Sequence, residues 1–243
     1  MYDLIDECGT DLLALGYKLV QSGRYSLCTG KVEVTSEEEE KNTGFEKGSY
    51  LIYNCPLLHG YGIEAFDYIS SEVSKGIKKL LRKHSITKRS RILIVGLGNC
   101  QILADALGGK VLEKIDFDMF KKPLRIFKFA PNIFANTGIN SFDVVHMLSI
   151  WLDIDALIII DALATKSLDR LTTSIQINDV GMTPASAVNN LGKKLCHESL
   201  GLTCISIGVP TMLLGETILT PKDIRVELEN LSKIIAMAIM QSI

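Results

Sequence analysis

The sequence predicts an α/β layered protein built on a largely parallel sheet, and three observations carry that expectation. Ala156 to Ile160 is an unbroken, Ile-rich apolar run, the pattern of a strand buried on both faces of a parallel sheet. It stops on a carboxylate, Asp161, followed by Ala162, Leu163 and Ala164. A second run, Arg91-Ile-Leu-Ile-Val-Gly-Leu-Gly-Asn99, ends in a glycine turn, and Asp105 follows a few residues later. Segments with helical apolar spacing alternate with these runs. In open α/β sheets ligands and chemistry gather at the carboxyl ends of the strands. Two aspartates delivered to one sheet edge are therefore the first candidates for function.

From the N-terminus, residues 2–22 have the spacing of an amphipathic helix, with Leu4, Ile5, Leu12, Leu13, Leu15 and Leu19 apolar and Gly9 and Gly16 weakening it. Lys31 to Thr35 alternates like a strand. Glu37 to Asn42 is an acidic run that reads as a solvated loop or helix start. Ser49 to Asn54 is a strand closed by Pro56. Ile63, Phe66, Ile69, Val73, Ile77, Leu80 and Leu81 predict a helix to about His84. The basic stretch from Lys75 to Arg89 suits the dipole at that helix's C-terminus. Beyond the Arg91–Val95 strand come a helix from about Ala104 to Lys114, a short strand within Leu124–Phe129, and a turn at Asn136–Gly138. Ser141 is a candidate N-cap for a helix to about Leu152. After the Ala156–Ile160 strand the pattern gives a loop through Lys166 to Arg170 and strands at Ser174–Asn178 and Thr203–Val209, the latter ended by Pro210. A final helix runs from about Pro221 to Met240, where proline suits the first turn. No repeat, low-complexity tract or linker interrupts residues 1–243, so a single domain is expected.

Composition narrows the function classes. A chain of 243 residues, 47% hydrophobic and 22% charged, can bury a sizeable core. A formal net charge of −2 gives no electrostatic reason to expect direct contact with nucleic acid. Six cysteines without a CxxC pair read as free thiols in a reducing compartment. No apolar run reaches the roughly 18 residues of a membrane span. The first residues have neither the basic nor the apolar segment of a signal peptide. The expected location is cytoplasmic.

Gly96-Leu-Gly98 after a strand invites a nucleotide-binding reading, but Gln101 stands where the third glycine of the fingerprint belongs. The turn reads better as tight backbone that makes room for Asp105. Asp105 and Asp161 are the sharper candidates, since paired carboxylates divide acid and base work when their surroundings push their pKa values apart. The competing reading is that each caps a neighbouring turn or helix. Asp179, in Asn-Asp-Val-Gly181, has turn chemistry of its own. The four histidines have no zinc-protease spacing, Cys196 and His197 are adjacent on a predicted helix and diverge, and no G-x-S-x-G elbow is present.

These residues carry a specific resemblance. Ile94-Val-Gly-Leu-Gly-Asn99, Asp105-Ala-Leu-Gly108, Thr137-Gly-Ile139 and Asp161-Ala-Leu-Ala164 are similar to motifs of the spore germination protease family. So are Arg170 with Ser174-Ile-Gln-Ile177, Asp179 with Gly181 and Pro184, Gly208-Val-Pro-Thr211 and Thr220-Pro-Lys-Asp-Ile224. The resemblance extends in order over nearly the whole chain, from Asp3-Leu4 to the last helix. It implies an α/β/α sandwich around a mostly parallel or mixed sheet, like that of the hydrogenase-maturation proteases. It implies an endopeptidase that begins the degradation of small acid-soluble, DNA-protecting spore proteins, with Asp105 and Asp161 as an aspartic-type catalytic pair and no cofactor or metal. Gly96, Gly98, Asn99, Lys166, Arg170, Asp179 and Gly181 would shape the site or bind substrate. A homotetramer in the forespore or spore core, without direct nucleic-acid or membrane partners, is implied as well.

The sequence also departs from the family pattern. Gly109 replaces the proline of D-A-L-G-P, and the glycine-rich H-P-G-S-G-V-G-N segment reads Thr183-Pro-Ala-Ser-Ala-Val-Asn-Asn190. Leu214 stands where the family has an aspartate after G-V-P-T, and the segment before Thr220 is short. Met1 directly precedes the mature-like start, leaving little room for an activation propeptide. Two alternatives stay open on this basis. One is a catalytically altered or inactive relative with a binding or regulatory role in sporulation. The other is a metal-dependent maturation-type peptidase using Asp105 and Asp161 as oxygen ligands, although no histidine is suitably placed.

Overall fold

Among the described residues, a nine-stranded mixed sheet carries the chain. The structure, a computed structural model, describes residues 20–21, 25–55, 62–119, 125–184, 192–215 and 218–243. The strands are β1 (Val20–Gln21), β2 (Cys28–Val34), β3 (Gly48–Asn54), β4 (Ile92–Gly96), β5 (Ile126–Phe129), β6 (Ala156–Thr165), β7 (Ser174–Asn178), β8 (Thr203–Leu214) and β9 (Ile218–Leu219). The helices are α1 (Glu37–Thr43), α2 (Ile63–Lys83), α3 (Leu107–Lys114), α4 (Phe134–Thr137), α5 (Ser141–Trp151), α6 (His197–Leu200) and α7 (Ile224–Ser242).

The sheet divides into two halves. Strands β5, β4, β6 and β8 are parallel, whereas β8, β7, β3, β2 and β1 follow one another antiparallel. The expected parallel sheet is thus one half of a larger mixed one. Strand pleating sends alternate residues of β6 to opposite faces. Ala156, Ile158, Ile160 and Ala162 join the larger core, closed by α2, α3 and α7. Leu157, Ile159 and Leu163 join a second core, closed by α5 through Phe142 and Val145. Helices therefore cover both faces in three layers. Val32, Val34, Phe45, Tyr50 and Ile52 form a satellite cluster under the antiparallel half.

Several expectations shift at their edges. The predicted helix over residues 2–22 falls mostly outside the described residues, and Val20 and Gln21 at its end form β1. The acidic run is α1, started by a capping box in which Ser36 and Glu39 exchange side-chain and backbone bonds. Asn140, not Ser141, caps α5, its side chain accepting from the Phe142 N–H at 2.9 Å. The predicted helix from Ala104 is split into a single 3-10 turn, Leu103–Asp105, followed by α3. Two strands run longer than expected. β6 continues through Asp161 to Thr165, and β8 passes Pro210 to reach Leu214.

Candidate active site

Asp161 lies inside β6, at the level where the parallel ladder to β4 ends at Gly96. Pleating puts its carboxyl on the face of Leu157 and Ile159, and it is only 4% exposed. Its partner across β8 is Gly208, which in turn pairs with Gln176 of β7. The Asp161 Oδ1 accepts the N–H of Ala162 at 2.9 Å, a bond within its own strand. Burial raises its pKa first, and repulsion from Asp105 raises it further, up to about 7.

Asp105 reaches the same place by another route. The Leu97 N–H donates to the carbonyl of Ile160, the residue before Asp161, at 2.8 Å. The chain then turns through Gly98, whose φ is +96°. A Cβ on Gly98 would lie 2.1 Å from the Asp105 carbonyl oxygen, so only glycine permits both the turn and the approach. The Asn99 N–H donates to the Asp105 Oδ2 at 2.7 Å. Asn99 closes the same loop with its side chain, which accepts from the Gln101 N–H at 2.9 Å. Asp105 is half-buried; burial raises its pKa, with the Asn99 bond working in the other direction.

The capping alternatives fail on this geometry. Ala106 occupies the N-cap of α3 without a side-chain bond, and the Asp105 carboxyl points back to Asn99 instead. Asp161 sits in mid-strand rather than at a turn. Burial of Asp161, with the charge of Asp105 acting on it, favours its protonated form.

The other sequence candidates lie at different distances from this pair. Gly96 and Gly108 let α3 cross the end of β4 backbone to backbone, a Cβ on Gly96 meeting the Gly108 carbonyl at 2.5 Å. Where the family has proline, a Cβ on Gly109 would meet the Cys100 Sγ at 2.4 Å. Lys166 is exposed and Arg170 half-buried beyond the end of β6, with the Arg170 Nη2 3.5 Å from the Thr165 Oγ1. At about 3.3 Å per residue, Lys166 stands roughly 16 Å along the strand from Asp161, within reach of an extended peptide but not of the carboxyl pair. Gly181, at φ +85°, packs against the Leu195 carbonyl beside the Met182–Leu195 bridge. That bridge frames the Thr183–Asn190 segment, most of which lies outside the described residues.

Asp179 belongs elsewhere. It follows the last residue of β7 and binds the C-terminal end of α2, the end from which the chain enters the opposite, amino edge of β4. Its Oδ2 accepts from the Lys83 Nζ and contacts the His84 Nε2, both at 2.8 Å, and its Oδ1 accepts the Ser49 N–H at 2.6 Å. Burial would raise its pKa, but the bonds from Lys83, Ser49 and His84 outweigh it and hold the carboxyl below its usual range.

The polar residues of β7, two strands across from Asp161, carried no site expectation from the sequence. Ser174, Gln176 and Asn178 alternate with Ile175 and Ile177 along β7, and every one of them is buried. Ser206, opposite Asn178, is fully buried with no hydrogen-bond partner for its Oγ. Polar residues at every second position of a strand buried on both faces were the available signal. Among the described residues no three His, Cys, Asp or Glu side chains converge as a metal-binding group.

A half-parallel α/β sheet that brings one buried and one half-buried carboxyl to the carboxyl end of β4 holds the groups that acid–base chemistry uses. The chain belongs to the germination protease family, whose sequence model matches residues 16–226. It is similar to the germination proteases of a Geobacillus species (35% identical over 192 residues, 75% of this chain and 51% of that one) and of Bacillus subtilis (34% over 197 residues, 77% and 53%). The germination protease of Caldanaerobacter subterraneus is 31% identical over 213 residues, 84% of this chain and 65% of that one. The chain thus spans about half to two thirds of the length of these relatives. Among solved structures, a [NiFe] hydrogenase maturation protease from Thermococcus kodakarensis aligns over 67% of this chain and 97% of that one, at 20% identity and a TM-score of 0.42.

Proposed function

We propose that this chain is a germination endopeptidase that opens small acid-soluble spore proteins at an internal peptide bond, using Asp105 and Asp161 as an aspartic-type pair. The observation that carries the reading is the juxtaposition of these two carboxyls at one sheet edge in a member of the germination protease family. Asp161, the more deeply buried, is the favoured holder of the shared proton, and Asp105, half-buried and stabilised by the Asn99 N–H, is the favoured anion. Asp105 takes a proton from water as the water oxygen attacks the scissile carbonyl carbon. Asp161 gives its proton to the carbonyl oxygen, and the tetrahedral adduct then collapses: the C–N bond breaks, the amine leaves with the proton held by Asp105, and Asp161 takes back a hydroxyl proton from the adduct as the acid product forms. Lys166 and Arg170 would contact an extended, acidic-flanked substrate beyond the pair.

Cleavage of a purified small acid-soluble spore protein, read by mass spectrometry beside an Asp161→Asn variant, tests the reading. The expected result is a limited set of internal cuts by the wild type, absent in the variant and unchanged by a chelator. No cut by a folded wild type would overturn the enzymatic reading. It would favour a relative altered at Thr183–Asn190, where the family's histidine and three glycines are replaced.

The same reading places the protein in the spore core as a homo-oligomer. Met147, Ile150 and Trp151, at i, i+3 and i+4 on α5, are 63%, 69% and 78% exposed. An uncharged cluster of that kind suits a second copy of the chain. Among the described residues no helix is long and apolar enough to cross a membrane.

A further inference from the structure

Strands β6 and β8 pair residue for residue from Ala156 with Thr203 to Leu163 with Pro210, and then Ala164 pairs with Met212. Thr211 is the residue left over. Bulges are uncommon in parallel pairs and recur beside active sites, where the extra residue re-aims a side chain. Pro210 supplies the local cause, because it has no N–H to give the ladder. Its carbonyl instead accepts the Thr172 N–H at 2.7 Å.

The bulge turns the Thr211 hydroxyl onto a specific target. Its Oγ1 donates to the Ala104 carbonyl at 2.6 Å, and the residue is fully buried. Ala104 immediately precedes Asp105 in the 3-10 turn. One strand therefore holds both halves of the site. β8 fixes Asp161 through the ladder at Gly208, and three residues later it fixes the Asp105 turn through Thr211. The other hydrogen bonds of Asp105, from the Asn99 N–H to its carboxyl and from its own N–H to the Ile102 carbonyl, stay within its own loop, as does the close approach of Gly98.

We propose that Thr211 is the positioning residue that holds the Asp105 carboxyl at working separation from Asp161. It touches neither the reacting atoms nor the second carboxyl and acts only through the Ala104 peptide. The inference rests on Asp105 and Asp161 as the acting pair. Because the charge interaction between two carboxyls scales inversely with distance, releasing the Asp105 turn weakens their coupling. Displacement of a catalytic group by about 1 Å costs up to a hundredfold in rate.

Thr211→Val removes the hydroxyl at nearly constant shape, and Thr211→Ser restores it. Two readouts separate this inference from the peptidase reading: kcat and KM across pH on a spore-protein substrate, and the carbon-13 titrations of the Asp105 and Asp161 carboxyls. We expect Thr211→Val to lower kcat about tenfold or more with KM little changed, and to bring the two carboxyl titrations closer together. Thr211→Ser should return both readouts towards wild type. Should the wild type cut nothing while the titrations still respond to Thr211→Val and recover in Thr211→Ser, the peptidase reading fails and the positioning role stands. A Thr211→Val protein that is merely less stable, with wild-type kcat, pH profile and carboxyl titrations, would overturn the proposal. If the valine variant does not fold, Thr211→Ala, whose smaller side chain admits water to the Ala104 carbonyl, takes its place in both measurements, and the same results support or overturn the positioning role.

Discussion

At the scale of single residues, Asp161 is costly to the fold that holds it. Its pKa is raised from burial and from the charge of Asp105, so the folded state binds the proton more tightly than the unfolded chain does. For a carboxyl shifted upwards the sign is the reverse of the usual one. The group contributes nothing unfavourable below pH 4, where both states are protonated, and destabilises progressively as pH rises towards 7. Asp161→Asn should therefore raise the melting temperature at pH 7.5 while the gain shrinks towards zero near pH 4. Calorimetry of both proteins across that range checks it, and a variant equally stabilised or destabilised at every pH would show that Asp161 carries no such strain. On the proposed reading, activity and stability pull in opposite directions at this position, as expected where a fold keeps an acid protonated near neutral pH.

At the scale of elements, Asp179 is the residue whose meaning changed most between sequence and structure. Its neighbours in sequence, Asn178, Val180 and Gly181, suggest a turn, and the family resemblance set that turn near the site. Its partners Lys83 and His84 are 96 and 95 residues away, and no local pattern announces them. The same distance hid the Thr211–Ala104 bond, which spans 107 residues. Asp161 was legible because a charge at the end of an apolar run is conspicuous, and Asp105 because it follows a second such run. The lengths of β6 and β8 were not, because a carboxylate and a proline ordinarily end a strand. Here burial at the centre of the sheet carries β6 through Asp161, and the bulge at Thr211 carries β8 past Pro210. As an anchor between α2, β3 and β7, Asp179 should act on stability alone. Its pKa is depressed, so its contribution is present above the unfolded pKa near 3.9 and is lost as pH falls through the folded value. Lys83 is 42% exposed, which screens the pair, so Asp179→Asn should cost only about 1–2 kcal/mol at pH 7. Urea unfolding at pH 7 and below pH 4 should show that difference narrowing, with cleavage by the folded variant unchanged.

At the scale of the whole molecule, both faces of the sheet are covered, yet α5 still presents an apolar ridge to solvent. Its inward side meets the second core through Phe142 and Val145, so Met147, Ile150 and Trp151 are not needed to hold the helix on the sheet. Singly exposed apolar residues are ordinary, but three side chains meeting on adjacent turns of one helix form a patch that water covers poorly. Burying it between copies gains roughly 25 cal/mol for each Å² removed from water, against the fixed cost of association. Trp151 is the single tryptophan of the chain, so the patch reports on itself. Self-association through α5 should shift its fluorescence to shorter wavelength as concentration rises, in step with the mass measured by sedimentation. Ile150→Glu keeps the probe and places a carboxylate at the centre of the contact. It should leave Trp151 emission in the solvent-exposed range and lower the sedimenting mass at equal concentration. An oligomer whose mass is untouched by Ile150→Glu, with tryptophan emission independent of concentration, would mean that the copies meet elsewhere on the surface.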